Sequence, residues 1–194
     1  GSEMCIRDSP EIGGEGQSKL LQSKVLVIGM GGLGSPLLMY LAAAGIGNIT
    51  IIDNDNVELS NLQRQVIHST QNIGRPKVDS AESFIEKINP EIKITKINSR
   101  VDADNIVELI AKQDVIADGS DNFKTRFLVA DTCFKLKKTL ISAAITKYEG
   151  QISTWKNETN LPCYRCLFAD EPNHSNVNNC SSNGVLGSVG GVFG

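Results

Sequence analysis

A glycine-rich loop and a later acidic residue are the first features of this sequence whose types and spacing could do chemistry. Gly29, Gly31 and Gly34 fit the pattern G-x-G-x-x-G, and Gly32 lies inside it. Such a loop lets backbone N–H groups approach a phosphate at the positive N-terminus of a helix. Asp53 ends the next apolar run, where a carboxylate can bind ribose hydroxyls. These residues predict a nucleotide site, and taken alone they favour an NAD-dependent dehydrogenase.

Three charged residues further along the chain favour a different nucleotide. Arg64 lies in the polar stretch 54–74, Lys77 starts the following helical pattern, and Asp121 comes just after a predicted strand. They supply two positive groups for a triphosphate and a carboxylate for Mg²⁺. NAD, in contrast, carries only a pyrophosphate and needs no metal. The alternative is that Arg64 and Lys77 are ordinary solvated surface charges, as most arginines and lysines are.

The alternation of strand and helix patterns indicates how these residues are positioned. Apolar β-branched runs alternate with segments of helical periodicity, which predicts a Rossmann-like α/β fold: a doubly wound, mainly parallel sheet with helices on both faces. The carboxyl ends of its strands share one edge, so the glycine loop, Asp53 and Asp121 should meet there. From residue 157 onward the pattern predicts loop. The predicted strands are 24–29, 48–53, 92–97, 114–117, 139–143 and, after a turn, 147–155, and the predicted helices are 14–22, 34–44, 76–88, 103–111 and 123–135.

The composition excludes several classes of protein. The 194 residues are 40% hydrophobic and carry a net charge of −3, which suits one domain with a substantial core. There is no basic surplus for a nucleic-acid partner, and the apolar runs fall short of the ~20 residues that a membrane span needs. Because residues 1–9 lack the apolar region of a signal peptide, we expect a cytoplasmic protein. The two histidines leave few candidates for histidine-centred catalysis.

The order of several motifs resembles that of a known family. The segments GMGGLGS, IIDNDNVELSNLQRQ, GRPK, SDN and PCYRCLF follow one another between residues 10 and 194. In this order they resemble the ubiquitin-activating-like adenylyltransferases of the MoeB/ThiF/HesA family. The resemblance implies that ATP and Mg²⁺ are used to adenylate the C-terminal glycine of a ubiquitin-fold sulfur-carrier protein ending in Gly-Gly, for molybdopterin or thiamin biosynthesis. It also implies a homodimer.

The same resemblance implies roles for individual residues. Gly32 would lie in the ATP-contacting loop, and Asp53 would hold the ribose. Lys77 would contact the phosphates, and Asp121 would bind Mg²⁺ with Asn122 beside it. Because a carboxylate nucleophile is already ionised, catalysis would rest on positioning and charge neutralisation, without a general base. The other residues implied to surround the nucleotide are Asp55, Ser60, Asn61, Leu62, Gln63 and Arg64, with Asn61 and Arg64 near the phosphates.

The five cysteines favour metal ligation or thiol chemistry over disulfides. Cys163 and Cys166 have the C-x-x-C spacing of half a structural zinc site, and a redox pair is the alternative. In the family a second cysteine pair completes this site, so we expect zinc (Zn²⁺) binding to be incomplete here unless His174 or Cys180 contributes. Some family branches use a cysteine at the position of Cys180 as an acyl acceptor, and an exposed cysteine without a role is the alternative. Cys133 falls on a helical stripe and is predicted to be a buried core thiol.

The two ends of the chain give an expectation for its domain organisation. Residues 1–9 show no periodicity and are interpreted as an extraneous or unstructured segment ahead of one ThiF/MoeB-type domain over residues 10–194. The chain stops in the glycine-rich run 184–194, which we interpret as a truncation of that domain. A nucleotide-binding remnant without catalysis therefore stays open as an alternative beside the adenylyltransferase and the dehydrogenase.

Overall fold

The architecture comes from a computed structural model, which describes residues 8–170 and 184–194. The element bounds agree with the predicted strands and helices to within a few residues. No helix in the described ranges is long and apolar enough to cross a membrane. The strands are β1 (Lys24–Ile28), β2 (Asn48–Ile52), β3 (Lys93–Ile97), β4 (Val115–Asp118), β5 (Thr139–Thr146) and β6 (Glu149–Trp155). The helices are α1 (Gly13–Gln22), α2 (Gly34–Ala43), α3 (Lys77–Ile88), α4 (Ile106–Ala111), α5 (Phe123–Lys135), α6 (Tyr164–Leu167) and α7 (Gly187–Phe193).

The strands form one sheet in the order β3-β2-β1-β4-β5-β6. The first five are parallel, whereas β6 returns antiparallel to β5. Val27 of β1 lies opposite Ile51 of β2 on one side and Ala117 of β4 on the other. The chain builds outward from β1 first towards β3 and then towards β6. In a doubly wound sheet this reversal leaves a crevice at the carboxyl ends of β1 and β4.

Strand β1 shows why the sheet needs helices on both faces. Val25 and Val27 point into a core shared with α2 and α3, and Leu26 and Ile28 point into a second core shared with α4 and α5. Because both faces are covered, the strand is a continuous apolar run with no polar alternation. The predicted Rossmann-like α/β class, with helices on both faces, is therefore confirmed.

The end of the chain is helical, and the prediction of loop from residue 157 onward is wrong there. Residues Tyr164–Leu167 and Gly187–Phe193 form α6 and α7. A Cβ at Gly190 would lie 2.7 Å from the carbonyl oxygen of Gly32, so α7 can pack on the glycine loop only without a side chain there. Glycine disfavours helix in isolation, which is why the composition predicted loop.

Candidate active site

A cavity of about 330 Å³ opens at the carboxyl ends of β1, β2 and β4. It lies at the topological switch point, where doubly wound sheets bind their ligands. The structure thus brings together residues that are far apart in sequence. The predicted site residues that line it are Gly29, Gly31, Gly32, Asp53, Asp55, Arg64, Lys77, Asp121 and Asn122.

The glycine loop connects β1 to α2 in a space too tight for side chains. Gly29 has φ +87°, and a Cβ there would lie 3.1 Å from the carbonyl oxygen of Gly119. A Cβ at Gly34 would overlap the backbone of Gly29, so this glycine is required for packing although it does not line the cavity. The loop therefore leaves backbone groups of Gly31 and Gly32 at the cavity surface.

Asp53 follows β2 and links the glycine loop to the next segment. Its Oδ2 accepts a hydrogen bond from the Met30 N–H at 2.7 Å, and its Oδ1 accepts one from the Asp55 N–H at 2.8 Å. Burial raises the pKa of Asp53 above its usual value, while Lys77 and these two N–H donors oppose the shift. Asp53 thus stands at the cavity wall with a fixed orientation, as a ribose ligand would require.

The two predicted cations are placed differently in the cavity. Lys77 is only 5% exposed, so the alternative of a solvated surface charge is wrong for it. Its stem is buried at the start of α3, and its Nζ lies 2.8 Å from Oδ2 of Asp55. Arg64 is half-buried, and its Nη1 donates to the carbonyl oxygen of Ser60 at 3.2 Å. Both line the cavity, which argues against solvated surface charges.

The loop after β4 presents Asp121 as an exposed carboxylate. Asp118 Oδ1 accepts from the Ser120 N–H at 2.9 Å, and Arg126 donates from Nε and Nη2 to the Ser120 carbonyl oxygen at 3.0 and 2.7 Å. Asn122 caps α5, since its Oδ1 accepts from the Thr125 N–H at 2.9 Å. Burial raises the pKa of Asp118, whose Oδ2 has no hydrogen-bond partner among the described residues.

Several cavity residues escaped the sequence analysis, and some implied ones do not reach the cavity. Arg126 and Arg100 add two more cations to Arg64 and Lys77, and the only sequence signal of Arg126 is a basic residue in the first turn of a helix that follows a strand end. Residues 99–101 follow β3 at the same sheet edge, a place that strand order alone could have suggested. Ser60, Asn61, Leu62 and Gln63 do not line the cavity, so their contact with a nucleotide stays a prediction.

The cysteines fall in two different settings. Cys163 and Cys166 flank the start of α6, with their sulfur atoms 3.7 Å apart. Cys133 is fully buried, as predicted, and burial raises the pKa of its thiol to about 12. No third metal-ligating residue joins the Cys163–Cys166 pair within the described ranges. His174 and Cys180 lie outside the described residues.

Comparison of the sequence with known protein families identifies the family of this chain. The ThiF family matches residues 6–194. This chain belongs to the ThiF family. The resemblance inferred from the motif order is therefore confirmed.

The curated relatives of this ThiF-family chain are longer than the chain itself. SAMP-activating enzyme E1 of Haloferax volcanii is 46% identical over 184 residues, which cover 95% of this chain and 67% of that protein. Adenylyltransferase and sulfurtransferase MOCS3 of Arabidopsis thaliana is 47% identical over 185 residues, covering 95% of this chain and 40% of that protein. The chain thus spans about two thirds of the first protein and less than half of the second.

Solved structures show the same fold. A crystal structure of PaaA aligns with a TM-score of 0.73 and 26% identity, covering 91% of this chain and 55% of that one. The structure of E. coli MccB with ATP aligns with a TM-score of 0.79 and 24% identity, covering 91% of this chain and 53% of that one. These similarities support the Rossmann-like fold of this ThiF-family chain.

Proposed function

We propose that this protein uses ATP to adenylate the C-terminal carboxylate of a ubiquitin-fold sulfur-carrier protein. The observation that carries the proposal is the composition of one cavity: the glycine loop, the cations Arg64 and Lys77, and the free carboxylate of Asp121 all line it. A dinucleotide site needs the glycine loop and Asp53 but neither a second phosphate-binding cation nor a metal-binding carboxylate. The relatives that are named adenylyltransferases or activating enzymes support the same function.

The reaction needs charge neutralisation more than proton transfer. An oxygen of the carrier carboxylate bonds to the α-phosphorus of ATP, the bond to the bridging oxygen breaks, and pyrophosphate leaves with that electron pair. The nucleophile is ionised at neutral pH, so no base is required. The negative charge that grows on pyrophosphate would be balanced by Lys77 and Arg64, held in place before the reaction.

The residues around Asp121 fit a magnesium ion bound together with a nucleotide. Mg²⁺ usually takes one or two protein carboxylates and completes its shell with phosphate oxygens and water. Asp121 is exposed at the cavity, and the described residues contain no cluster of three acidic, histidine or cysteine ligands that would hold a metal alone. Asp121, with Asn122 beside it, would hold the ion, which when bound supplies positive charge to the phosphates.

The substrate and assembly are inferred from the relatives and from the surface. The relatives' names include a SAMP-activating enzyme, and we propose a carrier ending in Gly-Gly that serves molybdopterin or thiamin biosynthesis.

We also propose a homodimer, because Ile152 on β6 is 55% exposed and Val192 on α7, which packs against β6, is 79% exposed. Sedimentation of the purified protein would measure this, and a monomer at all concentrations would contradict it.

The test is carrier-dependent exchange of labelled pyrophosphate into ATP. We expect exchange with Mg²⁺ and a ubiquitin-fold carrier ending in Gly-Gly, and none with the same carrier lacking the two glycines. As a matched pair, Arg64→Ala should lose exchange, whereas Lys124→Ala, an exposed lysine that does not line the cavity, should keep it. Absence of exchange with carriers of both pathways would refute the proposal. Tight NAD(H) binding without preference for ATP would favour the dehydrogenase instead.

We further propose that the Cys163–Cys166 pair contributes to a zinc site. The sulfur separation of 3.7 Å matches the edge of a tetrahedron with Zn–S bonds of about 2.3 Å. Two thiolates are half of a structural ligand set, so bound zinc should be readily removed by a chelator. We expect Cys163→Ser to abolish zinc uptake in elemental analysis and Cys133→Ser to leave it unchanged. Equal zinc content in both variants would refute this site.

A further inference from the structure

His68 is a buried residue that the proposed chemistry leaves without a role. It is 7% exposed, and its Nε2 lies 2.9 Å from the carbonyl oxygen of Met30. Its Nδ1 lies 2.8 Å from the hydroxyl oxygen of Ser80 in α3. A carbonyl oxygen can only accept, so Nε2 donates to Met30 and, in the neutral ring, Nδ1 accepts from Ser80. Burial lowers the pKa of His68, which favours this neutral form.

The Met30 residue of the glycine loop is held at both of its backbone polar groups. Its N–H donates to Asp53 at 2.7 Å, and its carbonyl oxygen accepts from His68 at 2.9 Å. The Met30 C=O and the Gly31 N–H belong to one planar trans peptide, so they point in opposite directions. With the oxygen held towards His68, the N–H of Gly31 faces away from the imidazole.

The Gly31 N–H is available to a ligand. Gly31 lines the cavity, and within residues 8–170 and 184–194 no protein group accepts a hydrogen bond from its N–H. An N–H group beside the N-terminus of a helix is suited to a phosphate oxygen. The orientation of this peptide unit therefore decides whether the loop offers a donor or a carbonyl oxygen to an anion.

We propose that His68 is a positioning residue that fixes the Met30–Gly31 peptide so that the Gly31 N–H donates to a phosphate of the bound nucleotide. This inference rests on the proposed use of ATP. His68 does not line the cavity, and both of its ring nitrogens are engaged, so it acts through Met30 and not on the substrate itself. Through Ser80 it also joins the glycine loop to the first turns of α3, the helix that begins with Lys77.

Three variants of the full chain separate positioning from simple stabilisation. His68→Gln keeps an N–H that reaches the place of Nε2, whereas His68→Asn is shorter and reaches only the Ser80 side. Ser80→Ala removes the partner in α3 and leaves the bond from His68 to Met30. We expect the Kd for ATP, measured by calorimetry, to rise about tenfold in His68→Asn and to stay within about twofold in the other two, in line with one charge-assisted bond. We expect Ser80→Ala to lower the thermal midpoint all the same, because it leaves a buried ring nitrogen unpaired.

The Gly31 amide resonance gives a second readout that needs no variant. In the wild-type protein, saturating ATP should shift the Gly31 amide proton strongly, as expected for a donor to phosphate. An unchanged Gly31 resonance in a protein that binds ATP would overturn the inference, as would equal ATP affinity in wild type and His68→Asn. If the loss of ATP affinity is proportional to the loss in thermal midpoint in all three variants, His68 has only a structural role and the inference is wrong. Failure of the wild-type protein to bind ATP at all would instead refute the proposed function.

Discussion

The two sides of the cavity are built differently, although both present charged groups to the same space. On the β2 side, Asp53, Asp55 and Lys77 form a continuous set of hydrogen bonds, and the Lys77 side chain is almost fully buried. On the β4 side, Asp121 is exposed on a loop. Asp118 and Arg126 make hydrogen bonds to the backbone of Ser120 in that loop. The charged residues on the β2 side are therefore expected to contribute to the free energy of unfolding. The charge of Asp121 on the β4 side is expected to be removable without a change in stability.

The largest effect should come from Lys77→Ala. Loss of the cation should lower pyrophosphate exchange by roughly 10²–10³, the range for removing one group that stabilises a transition state. Because Lys77 is 5% exposed, its truncation should also lower the free energy of unfolding by about 1–3 kcal/mol. Exchange kinetics and denaturant unfolding on the same preparation measure both changes.

Arg64→Ala is the matched control for that prediction. Arg64 is half-buried and donates to a backbone oxygen, so its truncation should lower exchange to a similar extent with little change in unfolding free energy. If both variants lose the same stability, the contrast between a buried and a partly exposed cation is wrong. If both keep wild-type exchange, the assignment of the phosphate site is wrong.

Asp121→Asn, the change on the β4 side, should lower pyrophosphate exchange while leaving the fold intact. The asparagine keeps the shape and removes the charge that a hard cation such as Mg²⁺ prefers. We expect exchange to fall by roughly 10²-fold, with ATP affinity in the absence of Mg²⁺ and the thermal midpoint close to wild type. Titration of exchange against Mg²⁺ checks this, and an unchanged Mg²⁺ dependence would argue against Asp121 as the metal ligand.

The last prediction concerns stability alone: Asp118→Asn tests whether the β4 side also contributes to it. Burial raises the pKa of Asp118 above its unfolded value. Between the two pKa values the folded state binds more protons than the unfolded state, so stability falls as the pH rises through that window. The variant keeps an oxygen for the Ser120 N–H and removes this titration.

Unfolding free energies measured from about pH 4 to pH 7 decide this prediction. The difference between Asp118→Asn and wild type should shift in favour of the variant as the pH rises, with a slope of at most about 1.4 kcal/mol per pH unit. A difference independent of pH would show that Asp118 is ionised in the folded protein across the whole range.

Much of the fold and part of the site followed from the sequence. The apolar runs and the glycine loop predicted the sheet, and the strand ends predicted that Asp53 and Asp121 would lie at one edge, as the structure shows. These features are local, because strand patterns and glycine turns depend on neighbouring residues. The motif order predicted the family, which the match over residues 6–194 confirms.

Other parts of the site depended on contacts between distant segments. The burial of Lys77 arises because its ammonium finds Asp55, which is 22 positions earlier in the chain, and no local pattern encodes that pairing. Arg126 of α5 lies at the cavity, where its guanidinium donates a hydrogen bond to the Ser120 carbonyl oxygen in the loop after β4. The helix α7 packs on the glycine loop at Gly190, where a Cβ would lie 2.7 Å from the carbonyl oxygen of Gly32, and this contact joins segments far apart in the chain.

By itself, then, the sequence determined the strands and helices as far as β6, the loops that meet at one edge of the sheet, and some of the residues that carry charge there. The tertiary structure alone decided which of those charges are buried, which peptide groups are held, and which donors remain for a ligand. The physical reason is that secondary structure follows from local periodicity, whereas burial and hydrogen-bond partners follow from packing. His68 shows the difference. In the sequence it is one of two histidines with no assigned partner, and only the fold places it between Met30 and Ser80.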